Sequence, residues 1–192
     1  MKLEELNPPI IEIPSHQTWY RIQRKTARSN SVRLKGYLLA PSGALAGRFD
    51  LDDEPTAYLG DSPETVLYES LFRREVRSCS LDMLKERVLV SFETQARVRL
   101  ADLRNLPERY PVLQSMRYQT TQSFASDCQH ENLNGILYAS AQHPHHECVC
   151  LFKSGIEKTK KSSSVLLVES GTGQLHKAVI NAAHGSQIPV TP

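Results

Sequence analysis

One glutamate, two arginines and a His/Cys-rich segment are the residues whose types and spacing could do chemistry. Glu69 closes the run Ser62-Pro-Glu-Thr-Val-Leu-Tyr-Glu69, which reads as a helix. With helical periodicity Leu67, Tyr68, Leu71, Phe72 and Val76 share an apolar face, and Glu69 lies at its border beside Val66 and Val76. A carboxylate there is either a partly buried acid with a task or half of an exposed i,i+4 pair with Arg73. Upstream, Gly43-Ala-Leu-Ala-Gly47-Arg48-Phe49-Asp50 sets an arginine directly after a glycine-bounded run. Such a backbone could approach a ligand closely, and Arg48 could meet a phosphate with its bidentate fork. An ordinary turn with a surface arginine fits the same residues. Arg21, in Trp19-Tyr-Arg-Ile22, raises the same question.

Two further segments invite and then lose a functional reading. His143-Pro-His-His-Glu-Cys-Val-Cys150 sets Cys148 and Cys150 on one strand face behind three histidines. Zinc sites draw on two separated ligand pairs, and no second pair has suitable spacing, so buried thiols on a core strand are expected and no metal. Val165–Lys177 reads as a strand, a glycine turn and a helix. It has neither the Lys-Ser/Thr of a phosphate-binding loop nor the third glycine of a dinucleotide fingerprint. The chain contains no Gly-x-Ser-x-Gly nucleophile element.

The elements that must position these residues follow from local signals. Ser62 is a sound N-cap and Pro63 suits the first helical position, so a helix should run from there to about Ser78. Further helices are expected over Tyr118–Asn132 and Gln174–Ala183. Short runs rich in β-branched or aromatic residues predict strands at 56–59, 87–92, 97–100, 135–140, 147–152 and 165–168. Pro8, Pro9 and Pro14 suggest an extended lead-in, and the polar run 158–164, KTKKSSS, reads as a loop. The expected fold is α+β, a single domain over 1–192 with a mixed or antiparallel sheet.

Composition bounds the function class. The 192 residues, 40% hydrophobic, suffice for a core without metal or disulfide support. With 23 Lys+Arg against 21 Asp+Glu, net charge +2, general nucleic-acid binding is not expected. The apolar runs fall far short of the ~18 residues of a membrane span. The opening MKLEELNPPIIEIP lacks the apolar stretch of a secretory signal, and four irregularly spaced cysteines read as reduced thiols, which points to the cytoplasm.

In order along the chain, Trp19-Tyr-Arg-Ile, Gly47-Arg-Phe-Asp, Thr56-Ala-Tyr-Leu, Ser62-Pro-Glu-Thr-Val-Leu-Tyr-Glu69, Gly135-Ile-Leu-Tyr-Ala-Ser140 and Cys150-Leu-Phe together resemble the RES-domain family. The best-matched region is 19–152, with 158–192 a C-terminal extension of unassigned role. The resemblance implies a fold like that of ADP-ribosyltransferase toxins and an NAD+-degrading toxin of a toxin–antitoxin pair. The nicotinamide–ribose bond would be cleaved with water or inorganic phosphate as nucleophile, and NAD+ would be substrate, with no other cofactor. It implies Glu69 as the catalytic carboxylate, Arg21 and Arg48 at the pyrophosphate, Tyr58 packing on the ligand, and Ser140 holding the nicotinamide amide or a ribose hydroxyl. Arg48 and Ser140 count with Glu69 as catalytic. Where many relatives carry an arginine two residues after the serine, this chain has Gln142, and Ala139 replaces a frequent proline. The implied partner is a helix-turn-helix antitoxin, without direct nucleic-acid or membrane contact, and a homodimer is left open. ADP-ribosyl transfer to an acceptor and a non-catalytic interaction module stand as alternatives.

Overall fold

Strand pairing sets the frame in which the candidate residues meet. The computed structural model describes residues 2–115 and 117–192. Its elements in chain order are α1 (Leu3–Leu6), β1 (Ile10–Ile13), β2 (Thr18–Arg24), β3 (Val32–Leu34), β4 (Tyr37–Leu39), β5 (Ala57–Gly60) and α2 (Pro63–Ser70). There follow β6 (Cys79–Ser80), α3 (Leu81–Lys85), β7 (Arg87–Thr94), β8 (Val98–Asp102), a 3-10 turn (Pro111–Gln114) and α4 (Tyr118–His130). The chain ends with β9 (Gly135–Ala139), β10 (Glu147–Leu151), α5 (Lys153–Ile156), β11 (Thr159–Leu166), α6 (Lys177–Ser186) and β12 (Val190–Thr191).

Eight strands form one mixed sheet in the order β1-β8-β9-β10-β5-β2-β7-β11. Within this sheet only β8 and β9 run parallel, and α4 lies in their connection, as a parallel crossover requires. The sheet is weakest in its middle: β2 pairs with β7 along its whole length but meets β5 at the single pair Tyr20–Gly60. One face carries a continuous core that includes Trp19, Leu59, Phe92, Leu137 and Val149. The opposite face is covered in two parts. At one end α4 packs Phe124 and Cys128 against Ile136 and Cys150. At the other, α2, the residues just after it and α6 pack Leu67, Phe72, Val179 and Ala182 against Leu89. The candidate residues gather where these two covered regions meet.

Several expectations are corrected. The helix at Pro63 stops at Ser70, because Leu71 and Phe72 both turn into the core and Phe72 N reaches back to Leu67 O. The polar run 158–164 is largely strand: β11 is an edge strand paired with β7, with a bulge between Lys161 and Ser163. Its exposed lysines and serines suit a strand whose free edge must not recruit another. Residues 158–192 are accordingly built into the packing, since they supply both this edge and α6 against α2. The proline-rich opening contributes β1 to the far edge, and β2 and the β3–β4 hairpin were not foreseen. The third helix begins at Lys177, three residues later than expected, after an isolated bridge between Val168 and Leu175. Among the described residues no helix is long and apolar enough to cross a membrane.

Candidate functional site

Glu69 stands near the end of α2, whose start is fixed by Ser62 Oγ accepting from Thr65 N at 3.1 Å. Gly60, at the end of β5, lets that first turn sit close: a Cβ there would meet Val66 at 2.9 Å. Glu69 is half-buried and makes no pair with Arg73, which turns instead to Glu75 at 2.9 Å. Its Oε1 accepts from Ser140 Oγ at 2.5 Å and from Gln142 N at 3.1 Å. Ser140 Oγ in turn accepts from His143 N at 2.9 Å and Gln142 N at 3.3 Å. The carboxylate and the serine are thus one unit, held by the turn that follows β9.

That turn is itself anchored to α2. Thr65 donates its hydroxyl proton to Asp61 Oδ1 at 2.8 Å, so His143 Nδ1, 2.8 Å away, donates to Thr65 Oγ1. His146 Nδ1 donates to Asp61 at 3.0 Å, and the two imidazoles stack with centroids 3.7 Å apart. Burial, and then the neighbouring His146, pull the His143 pKa below its ordinary value. His143 and His146, to which sequence reasoning gave no role, therefore clasp the turn that carries Ser140 to α2 and its lead-in. Among the described residues, no group of three or more His, Cys, Asp or Glu side chains is placed to hold a metal ion. Cys148 and Cys150 are buried free thiols on β10, and burial pushes both pKa values up.

The arginine loop is organised by an aspartate that sequence reasoning did not single out. Asp50 Oδ2 accepts from Gly47 N at 2.7 Å, while its Oδ1 accepts from Thr56 Oγ1 at 2.8 Å and Tyr58 Oη at 2.9 Å. Tyr58 Oη also accepts from Phe49 N at 2.8 Å. Gly47 has to be glycine, since a Cβ would lie 2.5 Å from both Asp50 Oδ1 and Tyr58 Oη. From the other side α4 holds the loop: Thr121 Oγ1 donates to Arg48 O at 2.5 Å and Gln122 Nε2 to Gly47 O at 2.8 Å. Arg48 Nη2 reaches Gln114 O at 3.5 Å. The signal for Asp50 was its position three residues after a glycine, which allows a side chain to close a tight turn.

Arg21 fills the opening between β2 and β5. Its Nη1 donates to Tyr58 O at 2.8 Å and its Nη2 to Leu38 O at 3.5 Å, while Nε is buried without a partner. Burial lowers its pKa, against the raising influence of Tyr37, Cys150, Tyr58 and Asp50. Arg21 and Tyr58, with Gly47 and Asp50, line a cavity of about 270 Å3.

The structure thus joins Glu69 to Ser140, and Arg21 to Tyr58, in two hydrogen-bonded groups. Tyr138, on β9, feels the charges of both Glu69 and Arg48. Burial raises its pKa most, the thiols of Cys148 and Cys150 and then Glu69 add to this, and Arg48 opposes it. Its ring packs on Phe49 at 5.1 Å. Sequence reading placed Tyr138 on a strand and gave it no role; alternation with Ser140 along β9 was the available signal. A carboxylate fixed by donors can stabilise a developing cation, and an arginine of the neighbouring loop can anchor an anionic group.

The RES domain family model matches residues 18–169. No curated protein matches the sequence. Among solved structures, a chain of the crystal structure of the M. tuberculosis MbcT–MbcA toxin–antitoxin complex superposes with a TM-score of 0.59 at 16% identity, covering 81% of this chain and 86% of that one. At that identity the likeness is one of fold.

Proposed function

The chain belongs to the RES-domain family, and on that premise we propose that it degrades NAD+ by cleaving the bond between nicotinamide and ribose. The observation that carries this reading is the half-buried Glu69 carboxylate, fixed by Ser140 Oγ and Gln142 N. Nicotinamide leaves as a neutral base from a cationic precursor, so positive charge moves onto the ribose in an oxocarbenium-like transition state. A preoriented carboxylate beside the ribose stabilises that charge and directs water or phosphate to the anomeric carbon. Arg48 and Arg21 supply positive charge for the pyrophosphate. The Tyr58 ring, its hydroxyl committed to the loop, offers a packing surface for the ligand. Ser140, whose proton is given to Glu69, serves here as a positioning residue.

The fold shared with a chain of a toxin–antitoxin complex supports the further reading that this protein is the toxin of such a pair. Its partner would be an antitoxin with a helix-turn-helix domain. The test is to incubate the purified protein with NAD+, with and without inorganic phosphate, and follow nicotinamide and the ribosyl product by chromatography. Release that vanishes in Glu69→Ala is expected, and phosphate dependence of the product names the nucleophile. Release that survives in Glu69→Ala overturns the mechanism, and label from adenine-labelled NAD+ that ends on an acceptor overturns degradation in favour of transfer.

A further inference from the structure

Where β2 ends and β7 begins, Arg24 and Arg87 are register partners across the antiparallel pair. Like charges placed directly opposite each other repel and cost stability. Arg28, on the turn that follows β2, joins them in lining one concavity of about 540 Å3, together with Ser29 and Asn30. Glu86 is the one carboxylate among the described residues bonded to this group, accepting from Arg24 Nη1 at 3.2 Å on an open surface. Arg87 is oriented by donating from Nη1 to Met83 O at 2.7 Å. Burial, then Arg24 and more weakly Arg28, lower the Arg87 pKa, while Glu86 and Cys79 oppose them. Three guanidinium groups against one exposed glutamate gain from a dianion bound among them, and their planar forks match phosphate.

This concavity continues from the candidate site. Arg21, Ala40 and Pro41 line it and also line the smaller cavity at Tyr58 and Asp50. Arg24 lies three residues beyond Arg21 on β2, which is ~10 Å along an extended strand. For a dinucleotide whose pyrophosphate meets Arg21, these shared lining residues offer the adenosine half a path toward Arg24. We propose that Arg24, Arg28 and Arg87 form a phosphate-monoester subsite for the 2′-phosphate of a phosphorylated dinucleotide, so that the protein prefers NADP+ over NAD+. The proposal rests on the dinucleotide reading above and adds the substrate's second anionic group.

Calorimetric titration of the full chain with adenosine 2′,5′-bisphosphate, adenosine 5′-monophosphate and inorganic phosphate tests it without turnover. The bisphosphate should bind at least about tenfold more tightly than the monophosphate, the gain of one well-paired phosphate. That ratio should fall close to one in Arg28→Ala, on an exposed turn, and in Arg87→Met, with folding checked by Tm. Equal affinities in the unsubstituted protein, or a preference that survives both substitutions, overturn the subsite. Inorganic phosphate that competes as well as the bisphosphate overturns the nucleotide assignment. A bisphosphate preference in a protein that cleaves neither dinucleotide overturns the degradative reading and leaves the subsite standing. Cleavage of both dinucleotides at equal kcat/KM, with no preference in binding, does the reverse.

Discussion

Ser140 and Glu69 are joined by a hydrogen bond whose direction divides their work. A carboxylate only accepts, so the proton on Ser140 Oγ points at Glu69 Oε1, and the serine's lone pairs take N–H groups of Gln142 and His143. A hydroxyl so engaged orients its neighbour; it would have to break that bond to hold a substrate amide. Ser140→Ala should therefore lower kcat for nicotinamide release by roughly 10–100-fold, the usual loss when a partner that orients a reacting group is removed, with little change in KM. Steady-state kinetics at varied NAD+ decide the matter: a rise in KM at constant kcat would return Ser140 to the substrate. The part of Gln142 that reaches Glu69 is its backbone N–H, which any residue but proline supplies.

The element that holds this pair is the turn from Ser140 to Glu147, clasped to α2 through His143 and His146. The groups facing His143 are His146 from its own turn and Thr65, Asp61, Glu64, Tyr68 and Glu69 from α2 and its lead-in. Because the folded-state pKa of His143 lies below its ordinary value of 6.5, the unfolded chain takes up this proton more readily than the folded one. Its contribution to stability is complete above pH 6.5 and is lost as pH falls from there through the lower folded-state pKa. Thermal unfolding on either side of pH 6.5 should show a fall in Tm toward acid that is smaller in His143→Gln; an equal fall in both proteins would remove the clasp from the account.

How far such elements could be read from the sequence depended on where their signals lie. The start of α2 was legible because Ser62 and Pro63 act locally, and β7, β9 and β10 because buried β-branched runs are distinctive. The end of α2 was not: apolar residues continue at helical spacing to Val76, and only tertiary packing turns Leu71 and Phe72 inward. β11 was hidden because an edge strand with exposed sides has the composition of a loop. Glu69 looked unusual on its helix, but its partners come from some seventy residues away, and no local pattern announces Ser140 or the histidine clasp.

Over the whole molecule, net charge and sheet continuity both conceal an uneven distribution. The formal +2 averages over a stretch from Glu12 to Asp50 that has no acid between them and holds seven Lys and Arg residues, Arg21 among them. Arg21 is placed where the eight-stranded sheet is held by one β2–β5 pair, and its side chain supplies a donor to Tyr58 O, on β5, and reaches Leu38 O of the β3–β4 hairpin at 3.5 Å. Arg48 is held differently: its backbone is tied to α4, while its guanidinium makes one long contact at 3.5 Å. If both arginines meet the pyrophosphate, their substitutions should still differ. Arg21→Gln strands at least one carbonyl in the opened sheet, which costs roughly 1–3 kcal/mol, or several degrees of Tm, in addition to its loss of kcat/KM. Arg48→Gln should lose kcat/KM with Tm nearly unchanged. Paired calorimetry and NAD+ kinetics on the two variants separate a strut that also binds from a side chain that only binds; equal Tm for both would mean that the opening between β2 and β5 is held by its remaining contacts and that Arg21 serves the ligand alone.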